Sequence, residues 1–248
     1  MDGLEAIIRW GHVVAGITWI GLLYFFNWVN TAFVPTMDAE TKKKVIPELI
    51  PRTLYWFRWG ALWTWVTGLL LLLMHFYHSG AVFEGGSGNF GRMTIAALMV
   101  TFLGVLVYDV LAKAVKDNRL MASMGLVLIA LAITIFQGAG FGYRGYVIHI
   151  GTMFGTIMAF NVWMRIWPAQ RIIIAATRDG QAPPADKPAL ASQRSKHNTY
   201  LSVPLVWTMI DQHTTFYAGS NLLLLLVVAV GWAVVYLCYR KAAQVKGF

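Results

Sequence analysis

One segment of the sequence sets the fold class: Tyr143–Gln170, which reads YRGYVIHIGTMFGTIMAFNVWMRIWPAQ. Roughly twenty mostly apolar residues lie between Arg144 and Arg165, which is the length that a helix needs to cross a bilayer. His149 lies about one turn inside this stretch, and an imidazole in an apolar span is costly unless it has a partner. The segment therefore predicts a membrane helix that carries a functional histidine.

The composition extends this prediction to the whole chain. The 248 residues are 58% hydrophobic and 12% charged, with a mean hydropathy of +0.58. Soluble domains carry about 25% charged residues, so we expect an all-α, polytopic transmembrane bundle forming a single domain over residues 1–248. The net charge of +9 indicates cytoplasmic loops rather than a nucleic-acid partner. The single cysteine, Cys238, excludes an intramolecular disulfide and a C-x-x-C-H haem attachment site.

The apolar stretches predict seven membrane spans, at about Glu5–Phe33, Leu54–Tyr77, Met93–Ala114, Leu120–Phe136, Tyr146–Trp167, Tyr200–Tyr217 and Asn221–Tyr239. The sixth is the least regular, because its apolar core is short and contains Pro204, so a re-entrant hairpin is the alternative. Basic residues before the sixth span and after the seventh favour two full crossings. Residues 171–196 are polar and proline-containing, and we predict a cytoplasmic linker there whose first part forms a short surface helix.

The basic residues also predict the orientation. Of the 20 lysines and arginines, 17 fall in the predicted cytoplasmic connections, at their span ends or in the C-terminal tail. Only Arg9, Arg92 and Arg144 fall on the other side. The positive-inside rule then places the N-terminus outside and the C-terminus in the cytoplasm. We expect a multi-pass protein of the bacterial inner membrane.

In this topology, five of the six histidines collect at the outer level of four spans: His12, His75, His78, His149 and His213. Facing imidazoles and small residues are what a b-type haem requires, so we predict haem b with His149 and His12 as the preferred axial pair. A zinc site is the weaker alternative, because few carboxylates lie nearby. The other predicted contributors are His213 and His75 as substitute ligands, Gly16 and Gly151 as spacers, and Arg9 and Arg144 as propionate partners.

Three segments carry a family resemblance: His12–Phe33, His149–Gln170 and Arg194–His213. Together they resemble the membrane domain of the bacterial PuuD-type urate oxidases, in which a membrane domain is linked to a cytochrome c. The resemblance implies urate oxidation with electron transfer to a cytochrome. It gives His12, His149, His197 and His213 as matching positions, without roles. Because the chain ends at Phe248 without a C-x-x-C-H motif, we expect the acceptor to be a separate periplasmic cytochrome c.

Two other functions stay open at this stage. The chain could be a non-catalytic subunit of a larger respiratory or photosynthetic membrane complex that keeps the fold for helix packing. A transporter or channel is the weakest alternative, because the spans show neither a mid-membrane charge pair nor a broken-helix repeat.

Overall fold

The computed structural model describes residues 2–86, 90–211 and 220–245, and these residues are mostly α-helical. Numbered in chain order, the main helices are α1 (Asp2–Tyr24), α2 (Ala39–Leu71), α3 (Arg92–Ala114), α4 (Asn118–Gly138), α5 (Tyr143–Asn161), α6 (Trp167–Arg178), α7 (Asp186–Ile210) and α8 (Asn221–Ala242). Some of these helices begin at a residue that caps the first turn. At the start of α4, the Asp117 carboxylate accepts a hydrogen bond from the Leu120 amide.

Three of these helices continue through π-helical turns. Phe25–Asn30 follows α1, Leu72–Tyr77 follows α2, and Val162–Ile166 connects α5 to α6. Such turns are rare in proteins and are frequent at functional sites, because the extra residue changes which side chains face a neighbour. Two of the turns contain polar residues that form the clusters described below.

Among the described residues, six helical stretches are long and apolar enough to cross a membrane: Gly3–Thr36, Ala39–Tyr77, Arg92–Ala114, Asn118–Gly138, Tyr143–Arg178 and Asn221–Ala242. The chain is therefore a multi-pass helical membrane protein, as predicted. The predicted sixth span begins on α7, and residues 212–217 of it lie outside the described residues. The seventh crossing and the orientation of the bundle stay predictions.

The polar segment 171–196 is helical over most of its length. Helix α6 ends at Arg178 and α7 begins at Asp186, so only residues 179–185 separate them. Helix α6 is the short helix that was predicted at the start of this segment, and its position at the membrane surface stays a prediction. Pro168 lies in the first turn of α6, where proline is well tolerated. Gly180 follows the end of α6 with a φ of 69°, a left-handed conformation that glycine adopts without strain.

The chain divides into two compact units, each built from three stretches of sequence. The first unit consists of Met1–Arg9, Thr67–Ile157 and Val203–Gly231. The second consists of Trp10–Val66, Met158–Ser202 and Trp232–Phe248. Each unit is described by itself below.

In the first unit, two loops are hydrogen-bonded to each other and fix the start of α5. The Glu84 amide donates to the Gly140 carbonyl at 3.0 Å, and the Gly142 amide donates to the Val82 carbonyl at 3.1 Å. Phe83 and Phe141 form an antiparallel bridge between these bonds. The end of α2 and the start of α5 are therefore held together at the position of His149.

Candidate functional site

His149 lies at the centre of a buried aromatic cluster in the first unit. Its side chain is completely buried, with 0% exposure. The imidazole centroid lies 4.7 Å from that of Phe141, 5.5 Å from Phe136 and 5.6 Å from Tyr77. The sequence therefore predicted correctly that this histidine is enclosed, although the groups around it are protein side chains.

Both ring nitrogens of His149 are hydrogen-bonded. Nδ1 lies 2.6 Å from the Gly145 carbonyl oxygen, and Nε2 lies 2.8 Å from the Tyr77 hydroxyl. Since a carbonyl oxygen only accepts, Nδ1 must carry the proton in this contact. In the neutral ring Nε2 is then the acceptor, and the Tyr77 hydroxyl donates to it. The pair is a hydroxyl donor held against a buried nitrogen base.

The glycines near His149 make close contacts with other parts of the first unit. A Cβ on Gly145 would collide with the Val82 carbonyl, and a Cβ on Gly151 would collide with Thr208 and Met209 of α7. Gly151 therefore faces a neighbouring helix, as expected for a spacer. The G-x-x-x-G spacing also predicts that Gly155 faces a neighbouring helix or a cofactor; a Cβ there meets no atom of the described residues within 4 Å, so no neighbouring helix packs closely against it.

A second polar group lies on the same helix, three to six residues before His149. The Tyr143 hydroxyl donates a short hydrogen bond to Oδ2 of Asp211, whose side chain is buried. The Tyr146 ring meets the Tyr143 ring edge-on at 5.3 Å, and Tyr146 is only 2% exposed. The Tyr146 hydroxyl has no hydrogen-bond partner among the described residues.

Two predicted residues, Arg9 and His75, form an exposed polar group with Glu5 in the first unit. Glu5 accepts a hydrogen bond from Arg9 and lies 3.0 Å from Nδ1 of His75. The side chains of Arg9 and His75 are 51% and 47% exposed. Arg144 is also exposed. Arg9 is therefore already partnered by a carboxylate, and His75 is accessible to solvent or lipid.

The remaining predicted residues lie elsewhere. His12 and Gly16 belong to the second unit, where His12 is partly buried and hydrogen-bonded to the Thr64 backbone. A Cβ on Gly16 would make an ordinary 3.8 Å contact with Thr64. His213 lies outside the described residues. The predicted pairing of His12 with His149 stays a prediction.

The second unit has a buried polar network that the sequence did not predict as a whole. Asn27, inside a π-helical turn, donates to Ser195 at 2.7 Å and accepts from the Tyr239 hydroxyl at 2.8 Å. Asn161 of α5 donates to Asn198 of α7 at 2.8 Å, which is an interhelical hydrogen bond. These contacts satisfy amide groups that would otherwise be unstable in an apolar bundle.

The surroundings of His149 do not fit ligation of haem iron as they stand. Iron binds an imidazole through a nitrogen lone pair, and Nε2 is occupied by the Tyr77 hydroxyl while Nδ1 is bonded to Gly145. Ligation at His149 would require Tyr77 to move away. The zinc alternative also lacks support in the described ranges, where no three His, Cys, Asp or Glu side chains form a metal-binding group.

Tyr77 is the site residue that the sequence did not indicate. It lies 72 residues from His149 in the chain, and its position follows from a π-helical turn and the bonded loops. Its place two residues after His75 at the end of a span was the only local signal. Asp211, which precedes His213 by two residues, is a further site residue, and its carboxylate accepts a hydrogen bond from Tyr143.

Comparison with known proteins gives one informative result. The model of the family described as urate oxidase N-terminal matches residues 39–246, which is most of the chain. No curated protein and no solved structure matches the chain. The matched range contains α2 to α8, including Tyr77, Tyr143, His149 and Asp211. The chain is a multi-pass helical membrane protein that belongs to the urate oxidase N-terminal family.

Proposed function

We propose that this protein is the membrane subunit of a urate oxidase-type oxidoreductase in the bacterial inner membrane. It takes electrons from urate, or from a closely related purine, and passes them to a periplasmic cytochrome c. The family supports this class of reaction. The single structural observation that carries the proposal is the hydrogen bond between the buried His149 and the half-buried Tyr77.

The Tyr77–His149 pair supplies the proton chemistry that such an oxidation needs. Oxidation of urate releases protons together with electrons, and the electrons go to the cytochrome. The neutral imidazole can accept one proton at Nε2 from the Tyr77 hydroxyl, while the Tyr77 oxygen takes a proton from the substrate side. The Gly145 carbonyl stabilises the resulting imidazolium, because it accepts the hydrogen bond from Nδ1.

The histidine pattern predicts haem b with His149 and His12 as the axial pair, and this stays a prediction, because the hydrogen bonds of His149 do not fit iron ligation in this structure. When bound, haem would supply one-electron transfer between the substrate and the cytochrome. The proton transfers between Tyr77 and His149 do not depend on haem, because Nε2 of His149 is bonded to Tyr77 in this structure. Reduced-minus-oxidised spectra of the purified protein test this part separately. Sharp b-type bands that disappear in His149→Ala and His12→Ala would support the axial pair.

The activity test uses purified protein in detergent, urate and oxidised cytochrome c. We expect urate-dependent reduction of the cytochrome, which Tyr77→Phe and His149→Gln should lower by about 100-fold, the usual contribution of a general base. His78→Gln is the matched control, since His78 is exposed. Equal loss in the control, or full activity in both site variants, would remove Tyr77 and His149 from the mechanism.

A second function is favoured by one observation. Both nitrogens of His149 are satisfied inside the protein, as in a histidine that serves only packing. In that case the chain would be a non-catalytic subunit of a larger membrane complex. A folded, monodisperse protein that reduces no cytochrome c with urate, and that co-purifies with other membrane subunits, would favour this function.

A further inference from the structure

The Tyr146 hydroxyl is a buried polar group that the proposed mechanism does not use. Tyr146 is 2% exposed, and its hydroxyl has no hydrogen-bond partner among the described residues. A buried hydroxyl without a partner destabilises a protein, because it has lost its hydrogen bonds to water. Such groups are rare in folded proteins and usually have a functional reason.

The neighbours of this hydroxyl are a carboxylate and an aromatic ring. The Asp211 carboxylate is hydrogen-bonded to Tyr143, whose ring contacts the Tyr146 ring, and Asp211 is itself 1% exposed. A hydrogen-bond donor, a buried acceptor and an aromatic surface are therefore close together within the first unit.

We propose that Tyr146 and Asp211 bind the lactam edge of a planar purine of the urate class; this inference rests on the proposed function. A lactam presents an N–H donor beside a C=O acceptor. The carboxylate only accepts and takes the N–H, while the Tyr146 hydroxyl donates to the C=O. A carboxylate has about four lone-pair sites, so the bond from Tyr143 does not prevent this contact.

The same chemistry argues against other ligand classes at this position. A phosphate or carboxylate ligand would be repelled by the negative charge of Asp211. A calcium or magnesium ion requires several oxygen ligands, and no group of three acidic or histidine side chains occurs among the described residues. We therefore expect the ligand to face Asp211 with an edge whose ring nitrogen still carries its proton. Any negatively charged ring atom of the ligand should lie away from Asp211.

Tyr146→Phe is the sharpest test, because it removes one oxygen atom and leaves the ring. Urate is titrated into the purified protein, binding is followed by tryptophan fluorescence, and melting is measured with and without urate. We expect Tyr146→Phe to bind urate about tenfold more weakly, which corresponds to one lost hydrogen bond. Without urate the variant should melt at the same temperature as the parent or higher, because a buried unbonded hydroxyl has been removed.

Asp211→Asn is the second variant, and Tyr236→Phe is the control because Tyr236 is 54% exposed. The side-chain oxygen of asparagine can still accept the bond from Tyr143, but the NH2 group that replaces the second carboxylate oxygen cannot accept from a lactam N–H. We expect about tenfold weaker binding of urate again, and no change in the control. Unchanged binding in both site variants, or a lower melting temperature of Tyr146→Phe with unchanged binding, would overturn the inference.

Cytochrome c reduction separates this inference from the proposed function. If the parent oxidises urate and both site variants keep the parental KM, the lactam site is wrong and the function stands. If the variants raise KM about tenfold at a similar kcat, the site is supported. If the parent neither binds nor oxidises urate, the site and the function both fail.

Discussion

The hydrogen bond between Tyr77 and His149 allows a quantitative test of the first unit. Tyr77→Phe removes the hydroxyl that lies 2.8 Å from Nε2 and leaves this nitrogen in a fully buried position without its donor. Loss of one partner of a buried hydrogen bond costs about 1–3 kcal/mol. For a chain of this size, 1 kcal/mol corresponds to about 2–4 °C in melting temperature, so we expect a decrease of about 2–12 °C.

The assay is thermal unfolding of the purified protein in one detergent, with Tyr236→Phe as the exposed control. A double-mutant cycle with His149→Leu identifies the source of the effect. When both partners are apolar, the penalty of an unsatisfied group disappears, so Tyr77→Phe should cost much less in the His149→Leu background. Additive effects of the two substitutions would refute the hydrogen bond as the cause, even if each variant were destabilised.

Three further predictions concern packing and topology. Gly151→Leu should lower the melting temperature through a clash with Thr208, whereas Gly155→Leu should be tolerated; equal effects would contradict the packing of α5 on α7. Asn198→Ala should destabilise the second unit by about 1–3 kcal/mol, because the Asn161 amide loses an acceptor, and a parental melting curve would contradict this. Reporter fusions after Lys44, Arg119, Gly180 and the C-terminus should all report a cytoplasmic position; a periplasmic C-terminus would exclude seven spans.

The helices were largely predictable because their signals are local. The third predicted span, Met93–Ala114, differs from α3 by one residue at its start, and the fourth, Leu120–Phe136, differs from α4 by two residues at each end. Apolar length defines such spans, and the Asp117 cap marks a boundary that can be read from the sequence. The polar linker was predicted too long because polarity by itself does not stop a helix.

The contacts of the candidate site were less predictable because they join distant parts of the chain. Spacing alone put Gly151 and Gly155 on one face of α5, but the position of α7 decides that only Gly151 meets a neighbour. The pairing of Tyr77 with His149 depends on a π-helical turn, which shifts the side chains that follow and leaves no periodic pattern in the sequence. The positions of the histidines in the sequence therefore indicated His149 as a site residue but gave no information about its partner, Tyr77.

Tyr146 decides between the two functions more directly than His149 does. A subunit kept only for helix packing has no use for a buried hydroxyl that lacks a partner in the described part of the chain, since phenylalanine would fill the same space without the penalty. A binding subunit, by contrast, needs a polar group that becomes satisfied when the ligand arrives. His149 satisfies both nitrogens internally and is compatible with either function. The effect of urate on the melting temperature of the parent and of Tyr146→Phe is therefore the measurement that separates an oxidoreductase from a structural subunit.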